Sequence, residues 1–361
     1  MNSRRAPITL TLIAGRILAK FSRLGQTLVP ILLALLVVAL LLVLLGRDPL
    51  AFYSDIIRRG LLSPLGLQDS ITRSAPLLLL AAGLIVAFRA GLWNLGVDGQ
   101  FLLAAVFTAA VAPPLAERLP LGLALPLCML TAMAVGALWS ALPALLKAAY
   151  GINEIITTLM TSFLGISLAN VLIKLVFRDP GTTVPQTFTL AMEDRLPRLL
   201  GTNIHLGVII AVGAVVLVHL LMTRTAFGLK LRVVGESPVT AIHAGLPVRL
   251  LTLAAFGLSA ALAGLAGAVE ILGVWGNVRA DWNPAYGLLV IPLVFLARFH
   301  GLAVIAFIFF FAVVSIGGET AARRADLPNH FVLILMSLIL LFLALTEWLG
   351  QRGQRQRETW S

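Results

Sequence analysis

The strongest constraint on this chain is a series of apolar runs, each about as long as a bilayer is thick. They fall at roughly 28–46, 71–88, 97–113, 121–147, 153–176, 204–222, 250–273, 286–297, 301–317 and 330–349. About 20 apolar residues in a helix cross a hydrocarbon core about 30 Å thick. The pattern predicts an all-α polytopic membrane protein with about ten transmembrane helices. A β-barrel would show alternating segments of about 10 residues, and these runs are continuous. Composition agrees, with 59% hydrophobic and 12% charged residues against roughly 25% charged in soluble domains.

The third, eighth and ninth runs are short or interrupted by glycine, so these three are expected to be the re-entrant or broken ones. The positive charges set the expected orientation. Arg4, Arg5, Arg16, Lys20 and Arg23 precede the first run, and Arg352, Arg355 and Arg357 follow the last. Both termini are therefore expected in the cytoplasm. The division is a cytoplasmic segment 1–27, a transmembrane domain 28–349 with a cytoplasmic loop at 223–249, and a cytoplasmic tail 350–361. Five runs on each side of the loop between the fifth and sixth is the count an inverted repeat requires, although the halves show no clear self-similarity. Leu50–Leu62 reads as an interfacial amphipathic helix. The loop 177–203, with Pro180, Gly181, Pro185 and Pro197, has no room for a long helix and is the largest external surface.

The net charge of +11 sits at helix ends and in loops, where it meets lipid headgroups. No basic stripe interleaved with aromatics is present, so no nucleic-acid partner is expected. The single cysteine, Cys128, lies in an apolar run and reads as a small buried hydrophobe. No Cys/His cluster suggests a metal site.

Thr223–Val248 is a polar, cationic interruption between two long apolar runs. Gly235 is expected to break the preceding structure. Ser237 and Pro238 form an N-cap and first-turn pair, and Gly245 followed by Pro247 ends the helix. A short helix held by two long ones is a mechanical handle on which a soluble partner can push.

Four further stretches carry polar groups. In Phe88–Gln100, three glycines surround Asn94, Asp98 and Gln100. These are either gate residues at a sharp re-entry or a cytoplasmic turn facing water. In Tyr150–Thr161, Asn153 and Glu154 open an apolar helix, where a carboxylate favours the N-terminus. Thr157, Thr158 and Thr161 share helical spacing and either line a polar face or bond back to carbonyls one turn earlier. Leu253–Gly273 presents a small-residue face for close helix packing, with Glu270 near its outer end. Asn277, Arg279, Asp281, Trp282, Asn283 and Tyr286 follow. Planar aromatics beside amides and carboxylates suit sugar or base recognition, and an aromatic belt explains Trp275 and Trp282 equally. No GxxxxGK[ST] phosphate loop occurs, and no catalytic constellation is visible. The chain is expected not to be an enzyme.

Several stretches together resemble permease subunits of bacterial ABC importers of the ribose/branched-chain amino acid permease superfamily, nearest its nucleoside and simple-sugar branch. They are FRAGLWNLGVDGQ (88–100), GINEIITTLM (151–160), RTAFGLKLRVVGESPVTAIHAGL (224–246), LSAALAGLAGAVEILG (258–273) and IPLVFLARFHGLAVI (291–305). The resemblance runs from about residue 70 to 320. It implies a transport subunit in the bacterial cytoplasmic (inner) membrane that binds no cofactor of its own. It implies as partners a second permease subunit in a heterodimer, a cytoplasmic ATPase carrying ATP and Mg, and an extracytoplasmic substrate-binding lipoprotein. In that picture Arg232, Gly235, Glu236, Ala241, Ala244 and Gly245 form the coupling loop. Asn94, Asp98, Gln100, Asn153, Glu154, Thr157, Thr158, Glu270 and Asn277 are candidate pathway or gate residues. His243 departs from the small or aromatic residue common at its position. The alternative is an ion-coupled secondary transporter, which needs an embedded acid, and Glu270 is the residue available for it.

Overall fold

Every residue from Ser259 to Glu270 is buried, which makes their helix the centre of its bundle. The computed structural model describes residues 32–199, 201–328, 331–339, 341–342 and 345. The segments 1–27 and 350–361 and parts of the first and last apolar runs lie outside the described residues. The helices in order are α1 (Leu32–Leu44), α2 (Pro49–Ile57), α3 (Pro64–Arg89), α4 (Val97–Arg118), α5 (Leu121–Trp139), α6 (Ala141–Tyr150) and α7 (Glu154–Val171). They continue as α8 (Gly207–Arg224), α9 (Ala226–Glu236), α10 (Pro238–His243), α11 (Val248–Glu270), α12 (Tyr286–Leu296) and α13 (Gly301–Arg324). Residues 331–339 are again helical. The described residues form no strand, only isolated pairings of Gln186 with Arg279 and of Arg198 with His205.

Seven helical stretches among the described residues are long and apolar enough to cross a membrane. Runs three and nine, expected to be broken, are full-length helices of 22 and 24 residues. Run eight, α12, has 11 residues and is the short one. The run at 121–147 is two helices, with the break at Ser140. α2 and the π-helical turn Arg58–Leu62 after it cover the stretch read as an amphipathic helix.

The chain divides into two compact units. In Leu61–Val313, α11 is surrounded by α3, α4 and α5, and its small residues are the reason. A side chain on Gly83 of α3 would meet the Ser259 carbonyl at 2.6 Å and Leu262 at 3.3 Å. One on Gly136 of α5 would strike the Ala260 carbonyl, one on Gly264 the Ala132 carbonyl, and one on Gly267 the Phe101 carbonyl. The small-residue face is thus spent within the chain, except at Gly257, which faces open space. α3 is equally enclosed, buried at every position from Ser74 to Ala87.

The described parts of Met1–Gly60 and Val314–Ser361 form the other unit. Phe52 meets Phe331 edge-on at 5.7 Å, Gly317 packs on the backbone of Ile56, and Arg324 pairs with Asp55 at 3.4 Å.

Candidate functional site

α3 ends at Arg89, and the chain runs irregularly through 92–94 and a turn at 95–96 before α4 begins at Val97. Gly91 makes the turn at φ +70°, a left-handed conformation that glycine adopts without strain. The exposed backbone of this break is satisfied from α7, where the Leu95 N–H donates to Thr158 Oγ1 at 3.2 Å. The Gly99 N–H donates to Ser162 Oγ at 3.1 Å. Asn94 ties the break to α4 and α11. Its Nδ2 donates to Gln100 Oε1 and to Ser259 Oγ, both at 3.0 Å. Its Oδ1 accepts from Gln100 Nε2 and the Gly96 N–H, both at 3.1 Å. Asn94, Gln100 and Ser259 are fully buried. A water-facing turn is therefore not what these residues form. They make a closed polar knot inside the bundle, of the kind that rigidifies only when every member is satisfied.

Asp98 stands in the first turn of α4, where the helix dipole favours a carboxylate. Its Oδ1 accepts the Gly287 N–H at 2.7 Å, and Gly287 stands in the first turn of α12. Two helix N-termini, each with unsatisfied donors, thus meet at one buried acid. A side chain on Gly287 would come within 2.9 Å of the Asp98 carboxyl carbon. Gly287 carries no signal in the sequence, and Ser259 reads there only as part of the small-residue packing face, because the contacts that define them span 189 and 165 residues.

Beside this junction, Glu270 is buried at the end of α11. It accepts from Trp275 Nε1 at 3.0 Å and from the Tyr286 hydroxyl at 3.2 Å. A π-helical turn over Ile271–Trp275 is what brings a residue five positions on back over Glu270. Arg73 of α3 donates to the Tyr286 hydroxyl at 3.1 Å and lies 5.9 Å from the centre of its ring. Trp282 bridges the rings, 6.1 Å from Trp275 and 6.1 Å from Phe101, which is 5.7 Å from Tyr286. The tryptophans do more than mark an aromatic belt, since one bonds the buried acid and the other packs on α4.

Asn153, Glu154 and Thr157 lie apart from this cluster. Asn153 caps α7, accepting the Ile155 N–H at 2.9 Å, and Glu154 pairs with Lys147 at 2.8 Å. Thr157 and Thr161 lie within hydrogen-bond distance of carbonyls a turn earlier. Thr158 does the same while also receiving Leu95. Asn277 donates to Thr189 Oγ1 at 2.7 Å, and so pins the loop 177–203. That loop is zipped onto the stretch after α11 by Thr187 N–H to Val278 O, Leu190 N–H to Gly276 O and Ala280 N–H to Pro185 O. At its end His205 is enclosed. Its Nδ1 accepts the Gly207 N–H at 3.1 Å, and burial together with the Arg198 charge pushes its pKa down to about 4.

On the opposite side of the unit, Thr225 caps α9 and Ser237 caps α10, each accepting a backbone N–H at 3.2 Å. Gly245 closes α10 at φ +74°. Gly235 does not break α9 as expected; it lies in its last helical turn. A side chain there would strike the Arg89 carbonyl and come within 2.8 Å of the Gly91 nitrogen. Ala241 is fully buried and anchors α10, while Val239 and Ile242 are 64% and 62% exposed. Glu236 and Ala244 are also exposed. Arg232 is half-buried, its Nε enclosed without a hydrogen-bond partner.

The polar groups found at Asn94, Gln100, Asp98 and Glu270 are hydrogen-bonded to one another or to neighbouring helices. This arrangement can hold, separate and re-form contacts; no nucleophile stands beside a base in it. Among the described residues, no group of three or more His, Cys, Asp or Glu could hold a metal ion.

Residues 66–344 match the family described as "Branched-chain amino acid transport system / permease component". The chain is 33% identical over 335 residues to the glucose ABC transporter permease protein TsgB13 of Haloferax volcanii, covering 90% of this chain and 88% of that one. It is 29% identical over 337 residues to the guanosine ABC transporter permease protein NupP of Bacillus subtilis, covering 89% and 94%. With the galactofuranose transporter permease protein YtfT of Escherichia coli the identity is 29% over 265 residues, 71% of this chain and 72% of that one.

Proposed function

This chain belongs to the permease-component family of branched-chain amino acid transport systems, and from that premise we propose that it is the membrane subunit of an ATP-driven importer for nucleosides or simple sugars. The relatives named for glucose, guanosine and galactofuranose support that substrate class. In this reading a separate cytoplasmic ATPase, holding ATP and Mg, docks on α9–α10. A second permease subunit completes the pathway as a heterodimer, and an extracytoplasmic lipoprotein delivers the substrate. The protein sits in the cytoplasmic membrane with the α9–α10 side inside.

The observation that carries the reading is the build of α10. Capped at both ends and anchored through Ala241, it turns Val239 and Ile242 outward. An apolar pair on a capped short helix between the 11-residue α9 and the long α11 is a surface for a partner that pushes. The ion-coupled alternative would require an embedded acid open to its ion, and Glu270 instead bonds Trp275 and Tyr286.

The mechanism follows from the joints. ATP binding draws the ATPase halves together and displaces α10. The permease pair alternates between inward- and outward-facing forms, and rearrangement of the Asp98–Gly287 and Glu270–Tyr286 contacts opens the path. Gly245→Arg and Glu236→Arg are expected to abolish ATP-driven uptake by the complete transporter while leaving membrane insertion intact. Normal uptake by either well-expressed variant would overturn the docking assignment.

A further inference from the structure

A docked partner can drive transport only if displacement of α9–α10 reaches the buried residues. Besides packing on α8 and α11, α9 meets the break after α3 in a close backbone contact. A side chain on Gly91 would lie 2.9 Å from Gly235 Cα and 3.0 Å from its carbonyl oxygen. One on Gly235 would strike the Arg89 carbonyl and lie 2.9 Å from the Ala90 carbonyl carbon. The two segments touch main chain to main chain, with no side chain between them to yield.

What lies beyond the contact makes it consequential. Three residues after Gly91 comes Asn94, bound to Ser259 of α11 and Gln100 of α4. The other flank of the break is clasped by the C-terminal end of α12. Phe295 stacks on Trp93 at 5.3 Å and lies tilted against Phe88 at 5.0 Å. Arg89 reaches the Phe299 carbonyl at 3.4 Å and lies 5.9 Å from the centre of the Phe299 ring. The other end of α12 holds Asp98 through Gly287, and Tyr286, one residue earlier, holds Glu270. The break therefore touches α9 on one side and the C-terminal end of α12 on the other, while the first turn of α4 just after it holds the N-terminal end of α12. Packed elements of this kind shift between discrete arrangements rather than deform smoothly.

We propose that the Gly91–Gly235 contact is the mechanical joint that passes displacement of α9–α10 into the break at 91–96, and through α12 to the Asp98–Gly287 and Glu270–Tyr286 contacts. The proposal rests on the reading that a separate ATPase docks on α9–α10. Gly91 and Gly235 are positioning residues: they touch no substrate and act by leaving no slack. Adding a methyl at Gly235 forces the backbones apart and introduces that slack.

The test uses the complete transporter, with its ATPase and second permease, in lipid nanodiscs. Hydrogen–deuterium exchange is followed at amides 92–96 and 236–245 with and without a non-hydrolysable ATP analogue. Both segments are expected to respond in the native protein. In Gly235→Ala, segment 236–245 is expected to respond alone, ATP hydrolysis to persist, and uptake per ATP to fall on the order of tenfold. Gly213→Ala, at a position with open space around it, serves as the control and should transport normally. A native response at 236–245 without one at 92–96 would overturn the joint and leave the docking reading standing. So would a Gly235→Ala variant that transports normally. No response at 236–245 would overturn the docking reading and the joint with it. If Gly235→Ala fails to assemble, the native exchange experiment still decides.

Discussion

Phe88–Gln100 and Thr223–Val248 interrupt the apolar pattern with similar mixtures of glycine and polar residues, yet Asn94 and Gln100 are fully enclosed whereas Val239 and Ile242 are more than half exposed. The first stretch finds its partners inside the chain: Ser259, Thr158 and Ser162 supply what its backbone and amides need. The second satisfies its own backbone through the caps at Thr225 and Ser237 and leaves apolar side chains uncovered. One is a knot and the other a handle. Polarity alone does not separate them; the difference is whether hydrogen-bond partners come from distant helices or from adjacent residues.

The comparison breaks most easily at the knot. Asn94→Leu leaves the Gln100 amide and the Ser259 hydroxyl buried without their partner, and each such group costs roughly 1–3 kcal/mol. A loss of about 3 kcal/mol is expected, read as an early thermal unfolding of the purified protein in detergent. An unchanged melting temperature would mean that the knot is not a structural tie.

The next effect is one of pH. His205 is enclosed and neutral, its pKa lowered from 6.5 to about 4. As pH falls, the unfolded chain takes up this proton first, so the folded state loses stability between about 6.5 and 4 and is most stable above that window. At pH 5 the loss from this group is about 2 kcal/mol. His205→Phe should flatten this part of the stability–pH curve. A curve of unchanged slope in the variant would assign the acid sensitivity to other groups.

How much of this was legible beforehand follows the range of each interaction. Apolar runs and the caps of α10 are local, and reading along the chain finds them: Ser237, Pro238 and Gly245 do what their types imply. The break at 88–100 is also local, written in three glycines, but its burial is not, since that depends on Ser259 and Thr158. Gly235 was read as a helix breaker because a glycine's local freedom and its fit to a close neighbour look the same in sequence, and only the Ala90–Gly91 backbone opposite tells them apart. The junction of Asp98 with Gly287 joins residues 189 positions apart, and no spacing rule reaches that far. The sequence leaves Trp275 open between a belt and a binding role, because its bond to Glu270 needs a π-helical turn that nothing in the local sequence announces.

Glu270 tests the middle of the scale. Glu270→Gln keeps an oxygen at the place of Oε1, which accepts from both Trp275 and Tyr286, and replaces only the other carboxyl oxygen with an amide NH2. A loss of about 1 kcal/mol is expected, clearly less than for Asn94→Leu, with slowed uptake by the complete transporter. A larger loss than for Asn94→Leu would move the structural centre of the site from the break to the end of α11.

The smallest expected change in stability is at the handle, and it sharpens the contrast most. Ile242 is exposed on α10 and its backbone is held by the caps, so Ile242→Ser should alter the melting temperature by no more than about 0.5 kcal/mol would. A docking surface, by contrast, loses its apolar anchor, and the ATPase should co-purify poorly and uptake should fail. Stability and function thus separate in opposite directions at the two stretches. Asn94→Leu melts early because its packing is lost, and Ile242→Ser leaves the protein stable and idle. If Ile242→Ser melted early instead, α10 would be part of the packed structure rather than its handle, because an exposed side chain on a capped helix has nothing else to lose.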